Sequence, residues 1–83
     1  MQTTKFKSGN VVQASPRTKF YGDFHPWITK ILEVVKITKG GLVEVKDIDG
    51  DVKGTYSLEP SMFNLITETV REYRLMTAPD MEE

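Results

Sequence analysis

The sequence predicts a small all-β domain built on a meander of short antiparallel strands. Three observations predict it. Residues 27–38 hold seven β-branched residues among twelve, and branching at Cβ crowds a helix but packs well on a pleated surface. Gly40-Gly41 then separates this run from a second one, 42–48, in which Val43, Val45 and Asp47 fall on one face and Glu44, Lys46 and Ile48 on the other. Asp49-Gly50 follows as a second tight-turn signal, of type I′ chemistry, after which Val52–Ser57 can pair back as a third strand.

The elements follow in chain order. Residues 1–4 are expected to fray, residues 5–76 to form the domain and residues 77–83 an acidic, disordered tail. Phe6, the Gly9-Asn10 turn and Val11-Val12 open a first strand. Residues 15–26 read as a long loop by Pro16, Gly22 and Pro26. The 27–38 run also admits a helix, with Ile28, Ile31, Leu32 and Val35 at i, i+3, i+4, i+7 and Pro26 at the first position. Its alternation breaks at Leu32-Glu33, where a strand needs a bulge or bend. Residues 57–63 suit a short helical turn with Pro60 inside it, and 64–70 a closing strand. One helix over 59–75 is the rival, since Phe63, Ile66, Val70 and Tyr73 share helical spacing; Thr67, Thr69 and Val70 favour the strand. Residues 71–76 fit either a further edge strand or a helical turn.

This order of features, with Phe6, Gly9-Asn10 and Val11-Val12 at its head, resembles the SH3-like small β-barrel superfamily, in particular its KOW- and Tudor-type openings. The likeness spans roughly residues 5–70, with Asn10 standing where the family usually has Asp. It implies a small SH3-like barrel of about five short antiparallel strands with a one-turn helix before the last strand. It also implies a binding module, because such barrels include nucleic-acid binders and peptide binders as well as many bacterial and phage proteins.

Eighty-three residues make one domain with room for one thin core. The chain has no cysteine, which excludes a disulfide scaffold, a zinc ribbon and a thiol nucleophile. No apolar run approaches the ~20 residues of a bilayer span, and no signal-peptide core opens the chain, so a cytoplasmic protein without membrane partners is expected. The net charge of −1 hides an asymmetry: residues 1–30 sum to +4, 31–60 to −2 and 61–83 to −3. Such a split steers partners, or reflects pairing between the two ends of the chain.

Little points to catalysis. His25 is the one histidine and has no accompanying nucleophile elbow or orienting carboxylate. Gly40-Gly41 lacks the context of a phosphate loop. Asp47, Asp49 and Asp51 mimic half of an EF-hand loop, but Val52 and Leu58 stand where its glycine and glutamate belong. No cofactor or metal is expected.

Binding residues concentrate in the loop. Five of the eight aromatics lie in the first 27 residues, and aromatics with Arg are what interfaces favour. The expected partner-binding face comprises Arg17, Lys19, Phe20, Tyr21, Phe24, His25 and Trp27, with Tyr21, Phe24 and Trp27 as anchors and the two cations on the rim. Taken singly, Phe20, Phe24 and Trp27 suit a small core folded under the loop better than a surface, by the burial habits of Phe and Trp. The expected function is non-enzymatic protein binding, by analogy that of a phage or mobile-element accessory protein acting on a host protein. An exposed strand edge also allows a homodimer. The alternative is nucleic-acid binding through Lys5, Lys7, Arg17, Lys19 and Lys30 interleaved with aromatic rings, against which stands an isoelectric point near 5.8.

Overall fold

A computed structural model describes residues 6–20 and 22–77, with the side chains of Lys19 and Phe20 outside the description. Five strands form one antiparallel sheet: β1 (Val11–Ala14), β2 (Ile31–Ile37), β3 (Val43–Asp47), β4 (Thr55–Leu58) and β5 (Phe63–Thr67), in the spatial order β4-β3-β2-β1-β5. A three-residue 3-10 helix, Pro60–Met62, leads directly into β5, and a C-terminal helix α1 (Val70–Thr77) ends the described chain. The expected all-β fold with a one-turn helix before the last strand is therefore present.

Register explains which side chains enter the core. Val12 lies opposite Leu32, Val34 opposite Val45, Ile37 opposite Val43, and Val43 opposite Leu58. These residues share one face because strand side chains alternate, and all but the half-buried Ile37 are buried. The irregularity of β2 falls at Val35, between Val34 and Lys36, rather than at Leu32-Glu33. It returns the apolar parity to the core side, as a bulge does.

Several boundaries differ from the sequence expectation. Residues 27–30 are not strand: a 3-10 helix, Gly22–Trp27, ends there and β2 starts at Ile31. Pro26 lacks the N–H a ladder needs, and the turn continues through Ile28 N–H to His25 O and Lys30 N–H to Trp27 O. The 15–26 segment is likewise two 3-10 helices, Pro16–Phe20 and Gly22–Trp27, rather than open loop. The Asp49-Gly50 turn is no two-residue type I′ hairpin, for only Gly50 has positive φ and the β3–β4 ladder resumes at Lys46 opposite Thr55. Asp47 is the cause. Its buried carboxylate accepts the N–H of Asp49 through Oδ1 (3.1 Å) and of Val52 through Oδ2 (2.9 Å), wrapping the chain around itself.

The closing strand covers 63–67 and not 64–70, because α1 begins at Val70. The helix is capped at Thr69, whose Oγ1 accepts the Glu72 N–H (3.0 Å), while Glu72 Oε1 accepts the Glu68 N–H (3.2 Å). The first bond is that of a capping box; the second reaches one residue further back, to the residue before the cap. The helix runs to Thr77, so the tail boundary moves past that residue; residues 78–83 and 1–5 lie outside the described residues.

Candidate interaction surface

The aromatic loop turns inward. Phe24 is 0% exposed and Trp27 5%, and both belong to the core cluster. The Phe24 ring stacks on Trp27 (centroids 6.2 Å apart, planes 9° apart) and meets Tyr56 of β4 at 5.0 Å and Phe63 of β5 at 6.1 Å, both edge-on. The strand order leaves β4 and β5 at opposite ends of the sheet, and the Gly22–Trp27 segment packs rings against both. Phe24 and Trp27 therefore serve as core and not as contact anchors, which corrects the expectation for these two. The reason is size: a core this thin needs the largest apolar side chains available. The segment is anchored further by Ser15, whose N–H donates to Met62 O (2.8 Å) and whose carbonyl accepts the hydroxyl of the fully buried Thr18 (2.6 Å).

Of the other expected contact residues, Arg17 and His25 are exposed, Tyr21 lies outside the described residues, and the side chains of Lys19 and Phe20 are not described. Of the basic set, Lys7 and Lys30 stand apart. Lys7 belongs to the turn leading into β1, at the end where Gly9 and Asn10 bond to Val34. Lys30 enters β2 beside Gln13 and Ala14, at the other end of a four-residue strand and so about 13 Å away. Lys30 Nζ is also 3.3 Å from Asp51 Oδ2. Lys5 lies outside the described residues.

The acidic turn shows no arrangement for a cation. Asp47 is taken by two backbone N–H groups, Asp49 by Arg74 (3.4 Å) and Asp51 by Lys30. Among the described residues no cluster of three potential metal ligands occurs, and no buried side-chain polar atom lacks a partner. An open cleft of about 470 Å³ lies between the Gly40–Leu42 turn and Glu59–Ser61.

The most exposed large apolar side chains among the described residues lie on α1. None of its residues is buried. Its inner stripe is the half-buried pair Val70 and Tyr73, spaced i, i+3 on one helix face. Leu75 (71% exposed) and Met76 (60%) point away from that stripe, and Leu65 on β5 is 43% exposed. Arg71 accompanies them four residues before Leu75. Sequence reasoning passed over Leu75 and Met76 because 71–76 fits an edge strand as well as a helical turn, and the two put these side chains on different faces. Thr69-x-x-Glu72 was the available signal: it marks a helix start and places Val70 and Tyr73 on one side, Leu75 and Met76 on another. No protein-family model, curated protein or solved structure matches this chain.

Proposed function

We propose that this chain is a non-enzymatic protein-binding module whose contact face centres on the outward side of α1. The observation that carries the reading is the exposure of Leu75 and Met76, adjacent large apolar side chains on a helix that already has another stripe for its own sheet. Single exposed apolar residues are ordinary, but two in succession beside an exposed arginine match the apolar anchor with polar surround found at interfaces. The strand order and the 3-10 turn before β5 support membership of the SH3-like group, whose small barrels commonly act as binding modules. No helix among the described residues is long and apolar enough to cross a membrane.

The test is affinity capture from the native cell with the full chain and with the double variant Leu75→Asp, Met76→Asp, nuclease-treated in both arms. Burying either side chain contributes roughly 1.5–3 kcal/mol, so the variant should bind at least about tenfold more weakly. Its thermal midpoint should stay within about 2 °C of the parent, since neither side chain is in the core. A protein retained by the parent and lost by the variant supports the reading; equal capture by both removes α1 from it. Capture abolished by nuclease alone would turn the reading toward nucleic acid.

A further inference from the structure

A second buried apolar spot lies on the side of the sheet away from the core. Val11 is 0% exposed yet does not belong to the core cluster. It stands opposite Glu33 on β2 and Thr67 on β5, whereas its neighbour Val12 stands opposite Leu32 in the core. Adjacent strand residues face opposite ways, so something covers Val11 from the outer side. The attachments of α1 fit that position. At one end Asn10 Nδ2 donates to Glu68 O (2.9 Å), next to Val11 itself. Further along, Arg74 donates from Nη1 to Asp49 Oδ1 and from Nη2 to Ile48 O, both at 3.4 Å. Ile48 continues β3 and its N–H reaches Ile31 O on β2. A helix starting beside β5 and tied to Ile48 crosses the outer side of β1 and β2.

We infer that α1 is a strap over Val11, held by its attachments at Asn10 and Arg74, that opens and recloses while the sheet stays folded. Its hold is slight, because it contributes no buried residue and the Arg74–Asp49 pair is more than half exposed on both sides, where ion pairs are weak and salt-screened. Segments with few buried contacts open locally, below the free energy of global unfolding. Opening uncovers Val11 and frees Val70 and Tyr73 in addition to Leu75 and Met76, so a partner gripping the whole helix selects the open form. The strap stands on docking geometry alone and would hold if no partner used Leu75 and Met76.

The chain has no cysteine, so a single introduced thiol reports on one position. Val11→Cys and, as core control, Val34→Cys are labelled with a thiol reagent in the full chain under native conditions. The thiol at position 11 should react at least tenfold faster than that at 34, with weaker denaturant dependence. Adding Arg74→Ala, or raising NaCl from 0.05 to 0.5 M, should speed position 11 about two- to fivefold and leave position 34 unchanged. Hydrogen exchange of the Tyr73–Thr77 amides in the parent chain supplies the same comparison if either cysteine variant fails to fold. Equal rates with equal denaturant dependence at both sites, or helix amides protected to the level of β2 and β3, would overturn the strap. Insensitivity of position 11 to Arg74→Ala and to salt would overturn the role given to that attachment.

Discussion

Two buried polar side chains, Asn10 and Asp47, do at the residue scale what their sequence neighbours cannot. Asn10 Oδ1 accepts the Lys7 N–H (2.8 Å), closing the opening turn, and its Nδ2 donates to Glu68 O. A carboxylate would make the first bond and not the second, which is the physical reason for an amide at position 10. Asn10→Asp should therefore destabilise by about 1–3 kcal/mol, the range for leaving a buried partner unsatisfied or setting a charge against a carbonyl. Urea denaturation measures this, and an unchanged midpoint would mean that the Glu68 contact contributes nothing. Asp47 is the acceptor counterpart, with one N–H on each oxygen. Asp47→Ala should lose about 1–3 kcal/mol. Asp47→Asn should not rescue it fully, since an amide keeps one acceptor and turns its NH₂ toward the other N–H. Equal stability of Asp47→Asn and the parent would show that one of the two bonds is dispensable.

Elements were legible where local pattern and burial agree. The β-branched run and the turn glycines located β2 and β3; Gly41, at φ +86°, closes their hairpin with its N–H on Thr38 O (2.9 Å). The start of β2 was not legible, because Trp27-Ile28-Thr29 has strand composition while Pro26 and the preceding Phe24 belong to a 3-10 segment fixed by long-range ring packing. No local signal reports that Phe24 must meet Tyr56 and Phe63. The candidate site suffered for the same reason: aromatics beside cations look alike whether they serve a core or an interface until burial is known. A direct prediction follows for the Gly22–Trp27 element. Trp27→Ala removes a core ring and should cost about 3–5 kcal/mol, most of the roughly 5 kcal/mol expected of so small a domain. Circular dichroism should show the thermal midpoint lowered by about 12–40 °C, at roughly 4–8 °C per kcal/mol for a domain of this size. A folded variant with near-parental midpoint would return Trp27 to the surface and restore the loop as a contact face.

The whole molecule raises a question that composition left open, namely whether the basic first third and the acidic last third neutralise each other in the fold. Among the described residues no ion pair joins these two thirds. Lys30 pairs with Asp51, Arg74 with Asp49 and Lys46 with Glu33, so every described pair uses an acid from 31–60 and none joins residues 6–30 to residues 61–77. The middle of the chain is the electrostatic hub, its acidic turn tied by Asp51 to the end of the Gly22–Trp27 segment and by Asp49 to α1. Every one of these pairs is at least partly exposed, and such pairs contribute between nothing and about 1 kcal/mol each, whereas the sheet stands on a core of buried apolar side chains spanning all five strands. Stability should therefore be nearly indifferent to ionic strength. Between 0.05 and 0.5 M NaCl, where the screening length falls from about 14 Å to about 4 Å, the unfolding free energy from urea titration should change by less than about 1 kcal/mol. A loss above about 2 kcal/mol would mean that the acidic hub, and not the apolar core, holds the elements together. If the proposed partner binds through α1, charge has its signature in kinetics: the association rate should fall with added salt while the dissociation rate, set by apolar contacts such as Leu75 and Met76, stays nearly constant.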